Sequence, residues 1–235
     1  MPPDQFFDLP NALAFVLFLG SWVVYSTLIG RSRFAARGLG QRMNLQRELW
    51  MRTLIRRDLR MIDTAIMAGL QQGTGFFAST CIFAIGGCFA LIGSAEQIAT
   101  IAADLPLDGI LDRALVEAKL LGLILIFSHA FFKFGWAYRL FNYCSILIGA
   151  VPMCTEAEAD PKRAEAALER ALAMNRIAAR HFNSGLRAIF FGIAYLGWFL
   201  GPYVLMATTV CVVAILAHRQ FFSDAHDAVV MEREP

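Results

Sequence analysis

The sequence predicts an all-α protein, a multi-pass transmembrane helical bundle of about four spans with amphipathic helices on the cytoplasmic side. Three observations lead there. Of 235 residues, 57% are hydrophobic and only 17% charged, with a mean hydropathy of +0.54; a soluble domain carries roughly 25% charged residues. The apolar residues gather into long runs separated by charged stretches. Those stretches also differ in sign. Residues 31–60 hold nine arginines against Glu48 and Asp58, whereas residues 94–113 hold Glu96, Asp104, Asp108 and Asp112 against Arg113 alone. A basic stretch beside an apolar run marks the cytoplasmic face by the positive-inside rule.

Residues 1–10 are acidic and proline-rich, which suits an outside tail, and residues 11–30 form a first span without a charge. Asp4 and Asp8 stand where a cleaved signal would carry basic residues, so this run is expected to stay as an anchor.

The first cytoplasmic segment covers residues 31–72. Gly38 and Gly40 predict a break, and from Asn44 the pattern turns helical. Met51, Ile55, Leu59, Ile62 and Ile66 recur at spacings of three and four, and Arg52, Arg56 and Arg60 form a neighbouring stripe with Arg57 further round. These four arginines are candidate contacts for anionic lipid. The unbroken pattern predicts one helix running into the next span. Asp58 falls on its apolar face between Leu54 and Ile62. It is either solvated or paired with a base on another helix, and Lys133 and Arg139 share its expected depth.

The second span, 73–93, is rich in Gly, Ala and Ser, which let helices approach closely in lipid and so predict a place at the bundle centre. After the acidic outside loop comes a third span, 114–136, holding Glu117, Lys119, His129 and Lys133. Lys119, His129 and Lys133 share an arc of about 80° on the helix. Polar groups in a span face the bundle interior, so this arc is expected to face the second span, with Ser79 or Thr80 as partners for His129. Tyr138–Pro152, containing Arg139 and Asn142, is apolar but too short to span again and reads as an interfacial or re-entrant piece.

Three blocks carry a family resemblance: RRDLRMID at 56–63, GFFASTCIFAIGG at 75–87 and FKFGWAYRLFNYCSILIGAVP at 132–152. Together they resemble a bacterial membrane-protein family known as domain of unknown function 599, over roughly Ala12 to Phe222. The resemblance implies a multi-pass inner-membrane protein. The family label carries no activity, so no catalytic residues transfer.

A second cytoplasmic segment covers 137–187. Asp160 followed by Pro161 predicts a helix start, with Asp160 as N-cap and proline at the first position. Leu168, Ala171, Leu172, Ala178 and Phe182 share one face of the helix that follows, which is expected to pack against the basic helix. The last apolar run, 188–217, is interrupted by Gly201-Pro202. It reads as one long kinked span that leaves the acidic tail outside; the alternative is a re-entrant hairpin returning the tail to the cytoplasm.

Nucleophile motifs, phosphate loops and paired metal ligands are absent from the sequence, so no catalytic, cofactor-binding or metal residues are assigned. The five cysteines lack C-x-x-C spacing. Haem ligation is disfavoured because only His129 lies well inside a span and His218 is expected at the opposite face. The leading reading is an accessory, assembly or scaffold subunit of a membrane complex. The alternatives are a small-solute or ion transporter, or an enzyme acting on an anionic lipid headgroup. Expected partners are the bilayer, anionic lipids, other membrane proteins or further copies of the chain, and no nucleic acid. The expected location is the inner membrane with the N-terminus outside.

Overall fold

An apolar chain in lipid has to satisfy its own backbone, and helices do so within one segment. The computed structural model describes residues 9–31, 37–94, 96–97 and 113–230, and among these every regular element is helical. The helices are α1 (Leu9–Arg31), α2 (Leu39–Leu54), α3 (Met61–Ile92), α4 (Arg113–Gly149), α5 (Cys154–Ala159), α6 (Pro161–Leu196), α7 (Pro202–Phe221) and α8 (Asp224–Val230), with a 3₁₀ turn at Gly197–Phe199. Helices at Leu9–Leu28, Met61–Ile92, Arg113–Gly149 and Pro202–Val229 are long and apolar enough to cross a membrane.

The centre of the bundle is the α4–α6 pair. Small residues allow a close approach there: a Cβ on Gly185 would meet the Phe134 ring at 2.8 Å, and one on Gly122 would overlap the buried Tyr195. Each helix thus presents a glycine to an aromatic of the other. On one flank α3 packs against α4 through a single seam, Met67, Thr74, Cys81 and Cys88, at the seven-residue spacing of left-handed helix pairs. On the other flank α7 packs on α6, and α1 on α7. Phe18 and Trp22 of α1 reach Phe191 of α6, with Trp22 stacked on it at 5.3 Å.

The expectation that the second span lies at the centre is therefore corrected. Most glycines of α3 do not line its packed seam: Gly69, Gly73, Gly86 and Gly87 open onto free space, while Gly75 faces Tyr138 and Ala78 packs beside Cys81. Composition reports how many small residues a span has, and only their angular position decides whether they serve packing.

The single helix expected from Asn44 onward is broken. α2 stops at Leu54, a turn occupies 55–60, and α3 starts at Met61. Leu59, Ile62 and Ile66 from the supposed buried face are 74%, 56% and 40% exposed. Tertiary bonds made by the turn override its helical pattern: Arg60 donates to the carbonyls of Ile148, Val151 and Pro152. It thereby satisfies carbonyls at the C-terminal end of α4 that have no partner inside the helix.

Tyr138–Pro152 is not a separate re-entrant piece. Through Gly149 it is the continuation of α4, a helix of 37 residues. α6 is similarly unbroken over 36 residues, about 54 Å at 1.5 Å per residue. Asp160 caps it, accepting from the Arg163 backbone N–H at 3.1 Å, and Pro161 takes the first position as expected. The predicted face Leu168, Ala171, Leu172 and Ala178 is buried, with Phe182 packed alongside. With Met51, Leu54, Leu140, Phe141 and Ile148 it forms a second hydrophobic core at one end of the bundle. The bundle thus carries a head built from α2, the start of α3, the end of α4, α5 and the first half of α6.

The kinked span expected over 188–217 is also corrected. The chain reverses at Gly197–Gly201, and α7 runs antiparallel to α6: Thr208 donates to the Ala194 carbonyl at 2.8 Å, and Arg219 lies over the Phe190 ring at 5.4 Å. Gly201 has φ +132°, a conformation open essentially to glycine alone. The reversal brings the end of α7 back to the basic end of the bundle. There His226 Nε2 lies 3.0 Å from the Arg37 carbonyl. His218 ends at this same basic end, against Phe222, and not at the opposite face.

Candidate functional site

The chemistry of the chain concentrates in three places: the head, the bundle level just above it, and the far end of the bundle.

In the head, Asp63 is wholly buried in the first turn of α3. Its Oδ1 accepts from Trp50 Nε1 at 2.7 Å and from Arg57 at 2.5 Å, joining α2, the turn and α3 at one carboxylate. A second network lies on the surface between α2 and α6. Arg176 donates to Glu48 at 2.7 Å, and Arg52 bonds both Glu48 and Glu165, the latter at 2.9 Å. The Arg176 and Arg52 hydrogen bonds hold the Glu48 carboxyl below its usual range, and the Glu165 and Glu48 bonds raise Arg52. Asn175, also fully buried, places its amide nitrogen 3.7 Å from the Met67 and Cys144 sulfurs.

At the far end, Lys119 is buried and donates to the Trp198 carbonyl at 2.7 Å. It also stands 5.5 Å from the Trp198 ring centre, while Trp198 Nε1 donates to Asn11. The cation meets the closing turn of α6, where unpaired carbonyls favour positive charge. Lys119 thereby ties α4 to the hairpin turn, and Trp198 ties that turn to α1.

The residues singled out in the sequence fall into different positions. Asp58 is exposed in the 55–60 turn, and among the described residues it has no hydrogen bond or ion pair to Lys133, Arg139 or any other base. The buried, paired acid is Asp63, five residues on. Arg57 and Arg60 are committed to Asp63 and to the α4 carbonyls, and Arg52 to Glu48 and Glu165, so of the four candidate lipid-binding arginines only the exposed Arg56 makes no bond within the described residues. Arg139 is exposed and donates to Tyr143 at 2.9 Å, and Asn142 is exposed.

The expected arc of Lys119, His129 and Lys133 does not face α3. His129 is exposed, with its ring edge-on to Trp22 of α1 at 5.9 Å. Ser79 and Thr80 are exposed on α3, and Thr80 bonds its own helix at Phe76. What the structure does bring together is Lys133 with residues the sequence did not single out. Phe134 of α4 meets Phe182 of α6 edge-on at 5.6 Å, so their chain neighbours Lys133 and His181 share a level, and Arg219 of α7 lies over Phe190 of α6 at 5.4 Å.

The 4–7–7–7 spacing of Asp63, Met67, Thr74, Cys81 and Cys88 was a readable sign that Asp63, and not Asp58, shares the buried seam of α3. Arg180 and Arg187 are likewise seven residues apart on one face of α6. The α4–α6 packing that places Lys133 beside His181 had no such local sign.

Among the described residues no group of three or more His, Cys, Asp or Glu side chains could hold a metal ion. An all-helical bundle with four bilayer-length helices and polar groups tied to helix ends defines a membrane protein of the helical-bundle class. The chain belongs to the family described as protein of unknown function, DUF599, whose model matches residues 13–225. No curated protein and no solved structure matches it.

Proposed function

We propose that the protein is an accessory or scaffold subunit of the inner membrane, with its N-terminus outside and its head in the cytoplasm. The positive-inside rule supports that orientation, because the basic segment and the head share one end. One observation carries the scaffold reading. On the head, Leu59, Met61, Ile62 and Ile66 of the turn and α3, together with Met153, are exposed. The bonds of Arg60 to Val151 and Pro152 bring Leu59 and Met61 to the corner where Met153 lies. With the head in the cytoplasm no acyl chain covers these residues, and an apolar patch on a water-facing surface marks a protein contact.

The transporter reading loses weight, since Lys119, the buried charge of the third span, is occupied by the hairpin turn. Purification from native membranes in mild detergent tests the scaffold reading. A stoichiometric co-purifying protein, lost on Met61→Glu with the bundle still folded, supports it. A homogeneous preparation of this chain alone, before and after chemical cross-linking in the membrane, overturns it.

A further inference from the structure

Basic side chains crowd one level of the bundle with no acid to answer them. Lys133 of α4, Arg180, His181 and Arg187 of α6 and Arg219 of α7 meet there, with His129 one turn further along α4. No ion pair with an acid involves any of them among the described residues. The sequence explains why: residues 9–47, 64–92, 118–153 and 170–223, from which the surrounding helices are built, contain no Asp or Glu. Phe134 meets Phe182 edge-on at 5.6 Å, which sets their chain neighbours Lys133 and His181 at one level, and Arg219 lies over the Phe190 ring at 5.4 Å, three residues from Arg187. Arg187 also has a buried Nε donor without a hydrogen-bond partner among the described residues. Buried donors in folded proteins are normally paired, so this one is open to an acceptor from outside the chain.

The depth of this level identifies the acceptor. Tyr25 and Trp22 sit in the last turns of the uncharged α1 run, and Arg219 at the end of α7. Phe77, Phe134 and Phe182 pack together just beside Lys133 and His181. Beyond this level the helices continue into the head. The cations therefore lie at the edge of the apolar zone, where lipid phosphates are found. Trp22 links α1 to both His129 of α4 and Phe191 of α6, so the three helices meet at this level.

We propose that the face where α1, α4 and α6 meet seats the phosphate of an anionic phospholipid headgroup. Lys133 holds it from α4, and Arg180, His181 and Arg187 hold it from α6. Guanidinium groups match phosphate oxygens with paired N–H donors, and basic pockets between membrane helices bind such headgroups. The proposal does not depend on the scaffold reading, because the purified chain alone suffices to test it.

The experiment measures the thermal unfolding midpoint of the full chain in a non-ionic detergent, titrated with phosphatidylglycerol, with phosphatidylcholine of the same chain length, or with inorganic phosphate. Phosphatidylglycerol should raise the midpoint, and the other two should leave it unchanged. Lys133→Gln and Arg187→Gln should each weaken the apparent affinity about fivefold, and the double variant on the order of 25-fold, from the usual contribution of one cation near an anionic surface. Lys162→Gln, an exposed charge at the distal end of α6, should bind like the parent, and Lys133→Arg should retain most of the affinity. An equal response to phosphatidylcholine overturns the proposal, as does a full response to inorganic phosphate alone. A double variant with parental affinity does the same. If the double variant does not fold, the three ligand arms on the parent and the Lys133→Arg and Arg187→Gln titrations decide.

Discussion

Arg57 donates to Oδ1 of Asp63 at 2.5 Å, and the carboxylate that receives it is wholly buried while the guanidinium keeps part of its surface in solvent. The pair closes the turn between α2 and α3, and Trp50 adds the third tie. A charge-assisted hydrogen bond of this kind contributes more than a neutral one, because the buried acceptor has no water to fall back on.

Asp63→Asn should lower the unfolding free energy by roughly 1.5–3 kcal/mol, the range for hydrogen bonds to charged groups. Asp58→Asn, on an exposed and unpartnered side chain, should stay within about 0.5 kcal/mol. Thermal or denaturant unfolding in detergent compares the two. Equal effects would remove Asp63 from its place as the anchor of the turn.

Docking of α2 onto α6 should weaken in acid. Glu48 titrates below its usual range in the folded protein because Arg176 and Arg52 hydrogen-bond its ionised form. Its contribution is complete above the unfolded value of about 4.3 and is lost as the pH falls through the lower folded value. Amide hydrogen exchange across 39–54 should accelerate in that window, and Glu48→Gln should remove the dependence. An α2 that exchanges equally at neutral and acid pH in both forms would assign no role to this carboxylate.

The hairpin turn depends on a backbone conformation. Gly201→Ala should cost about 1–3 kcal/mol, the usual strain of a side chain in that region of φ and ψ. Gly20→Ala, where a Cβ would meet nothing within 4 Å, should leave stability unchanged or raise it slightly, since Ala is the better helix former. The comparison of their melting midpoints checks both at once.

The return of α7 to the basic end has a topological consequence. In a background lacking native cysteines, Gln41→Cys and Asp224→Cys should label from the same side of the membrane, and Gln97→Cys from the other. Labelling of positions 41 and 224 from opposite sides would restore the single kinked span.

By itself the sequence determined the all-helical class, the bilayer-length apolar runs and the starts and faces of some helices. Uncharged runs long enough to cross lipid, the segregation of nine arginines into residues 31–60, and the Asp160–Pro161 helix start are local properties, so they can be read without knowing what lies beside them. The Leu168–Phe182 face was legible for the same reason: a 3.6-residue period names the buried side of a helix whatever covers it.

Tertiary structure decided everything that depends on a neighbour. It ended α2 at Leu54, because the carbonyls of Val151 and Pro152 and the buried Asp63 draw Arg60 and Arg57 out of a helical stripe. It placed α4 and α6 at the centre and α3 at the edge, because the glycines pressed closest to aromatics are Gly122 and Gly185, whereas most glycines of α3 open onto free space. It folded 188–217 into a hairpin, where Lys119 and Thr208 take carbonyls of the preceding helix and Gly201 permits the turn. Finally, it gathered Lys133 with Arg180, His181 and Arg187. These residues are separated by about fifty positions in the chain. Their proximity comes from how two long helices pack, and a period along one helix cannot report it.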